Sequence, residues 1–91
     1  MFHVLVSDSI SSDGLAPLLN DENINVVQKK VSEVDDLEKY DALLVRSATK
    51  VTEELLQKMT NLKIVARAGV GVDNIDVEAA TKYGVVVINA P

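Results

Sequence analysis

The chain has 91 residues, of which 47% are hydrophobic and 25% are charged, a composition typical of one globular domain rather than of a disordered segment. Its formal net charge of −5 argues against non-specific nucleic-acid binding, and the absence of cysteine excludes disulfides and thiolate chemistry. No apolar stretch approaches the roughly 18 residues of a membrane span, and the N-terminus carries no signal-peptide pattern, so we expect a cytoplasmic protein.

Five short apolar runs recur along the chain and predict five β-strands. Several of these runs are continuous rather than alternating, as expected of strands whose sheet is covered on both faces. The predicted strands span residues 3–7, 24–28, 42–46, 64–68 and 85–89.

Two segments between the later strands carry clear helix boundaries. Residues 52–59 begin with Thr52, a good N-cap, and then place acidic residues in the first turn. Residues 76–84 begin with Asp76 and end at Gly84, which suits the left-handed position after a helix. Both segments are therefore predicted to be helices.

Two earlier segments carry weaker helical signals. Residues 11–20 predict a less stable helix, because Gly14 and Pro17 suit only the first turn of a helix. Residues 32–40 predict a short acidic helix or turn.

The alternation of strands with helices predicts βαβ units and a parallel sheet with right-handed crossovers. Five strands in one small domain favour the flavodoxin-like order 2-1-3-4-5, with helices on both faces of the sheet. The sequence stops at Pro91 directly after the fifth strand, so we expect one covering helix to be missing. An apolar face left open in this way favours self-association into a homo-oligomer.

The candidate binding residues follow the predicted strands at their carboxyl ends, where open α/β sheets bind ligands. Arg46 and Ser47 follow the third strand, while Arg67 and the G-x-G pair Gly69 and Gly71 end the fourth. Arginine presents a planar fork of donors to carboxylate or phosphate, and glycines let backbone N–H groups approach an anion. A small carboxylate or di-anionic ligand is the predicted partner, although a lone arginine can be structural and glycines can simply turn the chain.

The G-x-G loop does not match a dinucleotide fingerprint, which requires a third glycine, an immediate helix and an acid about 20 residues later. Asn74 stands near the third glycine position, the helix begins only at Asp76, and the next strand ends in Asn89. A phosphoacceptor receiver domain, which shares the strand order, is also excluded, because its acidic pair is reduced to Asp8 and its acceptor aspartate is replaced by Arg46.

No set of residues for proton transfer or nucleophilic attack is found, so no catalytic residue is predicted. His3, the only histidine, belongs to the amino end of the first strand, away from the ligand edge. Asp73, Asp76 and Glu78 are explained mainly by helix capping and helix-dipole compensation, so no metal site is predicted.

Two longer stretches, LLVRSATKVT at 43–52 and LKIVARAGVGVDNID at 62–76, resemble the D-isomer-specific 2-hydroxyacid dehydrogenases. The resemblance extends over the whole chain. The G-x-G-x-D-x-I-D pattern is shared by the wider family, whereas the two arginines with the Arg-Ser pair resemble the branch that acts on 3-phosphoglycerate.

The resemblance implies a substrate-binding role for the loops at this edge, in an NAD-dependent enzyme that oxidises 3-phosphoglycerate to 3-phosphohydroxypyruvate in serine biosynthesis. By resemblance, the arginines and serine hold the phosphate and carboxylate ends of the substrate, and the glycine loop offers N–H groups to the carboxylate. The implied substrate-binding set is Arg46, Ser47, Arg67, Gly69, Val70 and Gly71. Val70 also matches a position that faces the nicotinamide.

The resemblance further implies that residues 1–91 are a single, partial substrate-binding domain. The nucleotide-binding domain and the catalytic residues of the family are expected beyond Pro91, so we expect this chain alone to be inactive and to bind NAD weakly at most. The alternative is an isolated flavodoxin-like scaffold for folding or assembly, with no ligand and no catalytic function.

Overall fold

The computed structural model describes residues 1–10, 12–69, 71 and 73–90, and for residues 12 and 90 it describes only the backbone. Strands and helices alternate along the described chain. In order they are β1 (Phe2–Val6), α1 (Ser12–Leu19), β2 (Ile24–Gln28), β3 (Ala42–Val45), α2 (Glu53–Lys58), β4 (Ile64–Ala68), α3 (Val77–Lys82) and β5 (Val86–Ala90). Two short 3₁₀ turns, Val31–Glu33 and Leu37–Lys39, separate β2 from β3.

The five strands form one sheet in the order β2-β1-β3-β4-β5, and each neighbouring pair is parallel. The predicted flavodoxin-like order is confirmed. In a parallel sheet all carboxyl ends lie at the same edge, so the loops that follow the strands converge there.

The predicted caps of α2 and α3 are confirmed. The Thr52 side chain accepts a hydrogen bond from the Leu55 N–H at 3.2 Å, and the Asp76 carboxylate accepts one from the Ala79 N–H at 3.0 Å. Gly84 has φ +73°, the left-handed conformation that ends a helix with least strain at glycine. Local sequence alone therefore sets both boundaries of α3.

The prediction that Pro17 suits only a first turn is wrong. Helix α1 begins at Ser12 and continues through Pro17 to Leu19, and the Asn20 N–H still donates to the Ala16 carbonyl at 3.0 Å. Pro17 has no N–H to donate to the carbonyl four residues earlier, so the helix lacks that one hydrogen bond. It nevertheless continues for two more residues. Residues 32–40 form 3₁₀ turns, the second of the two predicted forms.

The apolar side chains form two clusters on opposite faces of the sheet. One face packs under α2, α3 and the 3₁₀ turns, with Leu43 and Val65 fully buried at its centre. The other packs under α1 through Leu15. On this second face the β5 side chains Val86 and Ile88 are 57% and 48% exposed. The expected under-covered face is thus present among the described residues, and self-association through it stays a prediction.

Candidate functional site

The ends of β3, β4 and β5 are level with one another at the carboxyl edge of the sheet. In the ladder Val45 pairs with Arg67, and Arg67 pairs with Asn89. Side chains of directly paired residues project to the same face, so the Arg67 and Asn89 side chains lie side by side. Arg46, one residue beyond Val45, follows at the same edge.

The glycine loop after β4 is held by an amide from β5. Gly69 and Gly71 have φ +136° and +89°, values that residues with a Cβ rarely adopt. The Asn89 amide spans them: in the orientation that satisfies both groups, it donates to the Gly69 carbonyl and accepts from the Gly71 N–H at 3.0 Å. The sequence predicts that this loop offers its N–H groups to an anion, but the Gly71 N–H is already bonded to Asn89.

Arg67 is the part of the site with unused donors. Its Nε and Nη1 atoms are shielded from solvent, and neither has an acceptor among the described residues. An atom placed where a Cβ of Gly71 would stand lies 3.4 Å from Nη1, and apart from the adjacent residues no other heavy atom of the described residues lies within 4 Å of that point. Arg67 therefore brings two charged donors without an acceptor among the described residues to the loop at Gly71, and such donors can bind a small anion.

Arg46 and Ser47 extend this edge toward β1 and are both exposed. The Arg46 Nη1 atom donates to the Ser9 carbonyl at 3.3 Å. A guanidinium carries five N–H donors, so this single bond leaves most of the fork available to a ligand. The structure thus places five of the predicted residues along one edge: Arg46, Ser47, Arg67, Gly69 and Gly71.

A buried carboxylate organises the loop that carries Arg46. Asp8, which follows β1, accepts hydrogen bonds from the N–H groups of Arg46 at 2.7 Å and Thr49 at 3.0 Å, and from the Thr49 hydroxyl at 2.6 Å. Burial alone raises the pKa of Asp8, but these hydrogen bonds and the positive charge of Lys30 outweigh it. The pKa therefore lies below its ordinary value, and Asp8 is ionised at neutral pH.

Asn74 ties the same loop to the chain that follows the glycine turn. Its Nδ2 donates to the carbonyls of Arg46 and Thr49, at 2.6 Å each. The backbone carbonyl of Asn74 accepts a hydrogen bond from the Val51 N–H at 2.8 Å, next to the β-bridge between Val51 and Ile75. The loop after β3 and the segment after β4 are therefore one connected unit.

Four residues that organise the edge were not predicted as site residues: Asp8, Thr49, Asn74 and Asn89. Asp8, Asn74 and Asn89 enter the sequence reasoning through their failure to match other motifs, and no binding role is assigned to them. The available signal was their position, since short polar side chains directly after buried strands commonly bond the backbone of adjacent loops. Which loops are adjacent depends on the strand order.

Val70 lies outside the described residues, so its predicted position facing a nicotinamide stays a prediction. His3 lies in β1 at the opposite edge, where its Nδ1 is 3.3 Å from the Asn25 Nδ2. Within the described ranges, no group of three or more His, Asp or Glu side chains is arranged to hold a metal ion. None of the helices in those ranges is long and apolar enough to cross a membrane.

The fold and the edge together define a flavodoxin-like α/β domain with cationic donors at the carboxyl ends of its strands. A sequence profile described as "D-isomer specific 2-hydroxyacid dehydrogenase, catalytic domain" matches residues 4–91. The chain belongs to the D-isomer-specific 2-hydroxyacid dehydrogenase family.

Individual relatives agree with this membership. The chain is 66% identical over 92 residues to D-3-phosphoglycerate dehydrogenase of Bacillus subtilis, covering all of this chain and 18% of that protein. It is 43% identical over 94 residues to hydroxypyruvate reductase of Thermotoga maritima, covering 99% of this chain and 30% of that protein. The chain thus spans less than a third of the length of either relative.

Solved structures of relatives share the fold. The NAD⁺-bound 3-phosphoglycerate dehydrogenase of Entamoeba histolytica matches with a TM-score of 0.78 at 30% identity, over 99% of this chain and 33% of that one. D-Lactate dehydrogenase of Aquifex aeolicus, complexed with NAD and lactic acid, matches with a TM-score of 0.79 at 30% identity, over 98% of this chain and 28% of that one.

Proposed function

We propose that this chain is the substrate-binding part of an NAD-dependent dehydrogenase that oxidises 3-phosphoglycerate to 3-phosphohydroxypyruvate, the reaction that opens serine biosynthesis. The observation that carries the proposal is that the Nε and Nη1 donors of Arg67, beside Gly71, are buried and have no acceptor among the described residues. A buried donor without an acceptor costs about 1–3 kcal/mol, so a site that retains one gains when an anion supplies the acceptor.

The two ends of the proposed substrate require different donors. The carboxylate fits beside Arg67 and the glycine loop, where one planar fork can contact two oxygens. The phosphate fits the exposed loop of Arg46 and Ser47, where a cation and a hydroxyl stand at the end of the neighbouring strand. The relatives named as D-3-phosphoglycerate dehydrogenases, among them those of Bacillus subtilis and Methanocaldococcus jannaschii, support this choice of substrate.

The described residues do not fit the pyrophosphate of NAD. Helix α3 begins at Val77, six positions after Gly71, and the N–H of Gly71 is bonded to Asn89. We therefore assign to this chain the binding and orientation of the substrate, and we place tight NAD binding and the catalytic groups outside it. Residues 1–91 then constitute a partial substrate-binding domain.

Titration of an isotope-labelled chain with 3-phosphoglycerate tests the proposal. The amide resonances of Gly69, Gly71 and Ser47 are expected to shift together and saturate at millimolar concentration, because a half-site lacks one wall and loses preorganisation. Glycerate, which has no phosphate, is expected to shift the glycine amides while leaving Ser47 nearly unchanged. The chain alone is expected to show no 3-phosphoglycerate-dependent reduction of NAD.

The control is sodium chloride at matched ionic strength, which separates general ionic effects from site binding. If none of these amides responds at millimolar 3-phosphoglycerate, the alternative of a scaffold without a ligand is supported instead. Equal affinity for glycerate and 3-phosphoglycerate would favour a substrate without phosphate, as the hydroxypyruvate reductase relative suggests.

A further inference from the structure

The buried polar side chains of the described residues gather in one place. The three such residues are Ser7, Asp8 and Thr49, which are 4%, 7% and 7% exposed. Buried polar groups lower stability unless they are bonded, and here each of the three is bonded to the others or to backbone. The cluster lies at the carboxyl ends of β1 and β3, directly beneath the loop of Arg46.

The direction of each hydrogen bond in the cluster follows from chemistry. An ionised carboxylate only accepts, so the Thr49 hydroxyl gives its single proton to Asp8 at 2.6 Å. The Ser7 hydroxyl, 2.7 Å from the Thr49 oxygen, must then donate to it, and the Ser7 oxygen accepts from the Val31 N–H at 3.2 Å. The chain of donors runs from Val31 through Ser7 and Thr49 to Asp8, and each bond polarises the next.

The peptide groups of Arg46 are held on both sides. Asp8 accepts from the Arg46 N–H at 2.7 Å, and Asn74 donates to the Arg46 carbonyl at 2.6 Å. Thr49 is held in the same way, with its N–H bonded to Asp8 at 3.0 Å and its carbonyl bonded to Asn74 at 2.6 Å. The loop is thus bonded to Asp8 and Asn74 at both of its ends, while the Arg46 and Ser47 side chains are exposed.

From this geometry we propose that Asp8 and Asn74 are positioning residues for substrate specificity: they hold the Arg46–Thr49 loop so that Arg46 and Ser47 meet the phosphate end of the ligand. The inference rests on the proposed function, because it takes 3-phosphoglycerate as that ligand. Neither residue contacts the ligand. Their effect is expected mainly at the phosphate end, because both side chains bond the Arg46–Thr49 loop and no hydrogen bond of the described residues joins them to Arg67, Gly69 or Gly71.

Asp8→Asn tests the proposal with little change in size. The amide cannot accept from all three donors, so the loop loses part of its anchoring and the affinity for 3-phosphoglycerate is expected to fall about five- to tenfold. The affinity for glycerate is expected to stay within about twofold of the unsubstituted chain. A purely structural role would lower both affinities alike, or neither.

The matched control is Asp41→Asn. Asp41 also accepts a hydrogen bond from a backbone N–H, that of His3 at 2.8 Å, but at the amino edge of the sheet. This substitution is expected to leave the ratio of the two affinities unchanged. Thr49→Ser, which keeps the hydroxyl that donates to Asp8, is expected to retain the preference for 3-phosphoglycerate.

Asn74→Ala gives a second measurement that does not depend on the fold of the Asp8 variant. Asn74 lies outside the buried cluster, and the substitution removes both of its 2.6 Å hydrogen bonds to the loop. The affinity for 3-phosphoglycerate is again expected to fall while the affinity for glycerate stays nearly unchanged. An unchanged affinity ratio in folded Asp8→Asn or Asn74→Ala overturns the inference. If the unsubstituted chain binds neither ligand, the proposed function fails first, and this result is distinct from the failure of the positioning role.

Discussion

An aspartate accepts a hydrogen bond from a backbone N–H group at each edge of the sheet, but the two edges differ in function. At the carboxyl edge Asp8 accepts from the Arg46 N–H at 2.7 Å, and at the amino edge Asp41 accepts from the His3 N–H at 2.8 Å. Asp41 also forms an ion pair with Lys63 at 2.7 Å, and Lys63 is 62% exposed. The two carboxylates form similar hydrogen bonds to backbone, but among the described residues only the carboxyl edge has buried donors without acceptors.

The difference between the two edges indicates which of them can bind an anion. At the amino edge the ladder simply continues: the Asp41 N–H donates to the His3 carbonyl at 2.8 Å, and the Lys63 N–H donates to the Asp41 carbonyl at 2.8 Å. At the carboxyl edge the chain contains two glycines with positive φ, and the Arg67 Nε and Nη1 atoms have no acceptor in the described part of the chain. An edge whose polar groups satisfy one another supports the fold, whereas an edge with excess donors can hold an anion.

The largest expected effect comes from Arg67→Met, which keeps a long side chain and removes the charge. Affinity for 3-phosphoglycerate is expected to fall about 10- to 100-fold, because hydrogen bonds to charged groups contribute about 1.5–3 kcal/mol. The melting temperature is expected to stay level or rise, since two buried unpartnered donors are removed. Calorimetric unfolding and the ligand titration measure the two quantities separately.

The matched substitution at the other edge is Lys63→Met. It breaks an exposed ion pair, so a small loss of stability and no change in ligand affinity are expected. A large loss of stability in Arg67→Met would contradict the comparison, because it would show that Arg67 supports the fold as a core residue does.

Substitution of a glycine at each edge is expected to have an intermediate effect on stability and ligand affinity. Gly84→Ala at the amino edge meets no heavy atom within 4 Å, so it is expected to cost about 1 kcal/mol from its positive φ and to leave ligand affinity unchanged. Gly71→Ala adds a Cβ 3.4 Å from the Arg67 Nη1 atom, so strain of about 1–3 kcal/mol is expected together with weaker anion binding. Equal affinities in the two variants would argue against a ligand at Gly71.

The smallest effect is the acid dependence of stability. Hydrogen bonds from the His3 backbone and from Lys63 lower the pKa of Asp41, and the hydrogen bonds to Asp8 lower its pKa despite burial, which opposes them. A lowered pKa in the folded state stabilises the protein above the ordinary value of about 3.9, and this contribution is lost as the pH falls through the folded pKa. Urea unfolding below about pH 4 is expected to show a steeper loss of stability in the unsubstituted chain than in Asp8→Asn or Asp41→Asn.

Salt distinguishes the two carboxylates. Asp41 owes part of its shift to exposed Lys63, so high salt is expected to reduce the contribution of Asp41. Asp8 is bonded mainly to neutral N–H and hydroxyl donors, so its contribution is expected to persist. An equal response of the two to salt would contradict this account of the carboxyl edge.

Much of the fold was predictable because its signals are local. Apolar runs marked the five strands, and Thr52, Asp76 and Gly84 marked helix ends through interactions that span only a few residues. The helix predicted over residues 11–20 is present as α1, but Pro17 was misjudged: it is the sixth residue of that helix, not in its first turn, and its missing N–H removes only one hydrogen bond of the helix. The arginines and glycines of the candidate site were predicted from their place after strands.

The sequence by itself determined where the strands lie, which loops carry donors and the likeness to a dehydrogenase family, since periodicity, caps and motifs are properties of neighbouring residues, and the general rules for βαβ units then favoured the strand order. Only the tertiary structure decided how those loops are held. Asp8 and Arg46 are 38 residues apart, Asp8 and Thr49 are 41 apart, and Asn74 and Arg46 are 28 apart. Such bonds exist because the sheet brings distant strand ends to one edge, and no local pattern specifies which side chain will meet which peptide group there.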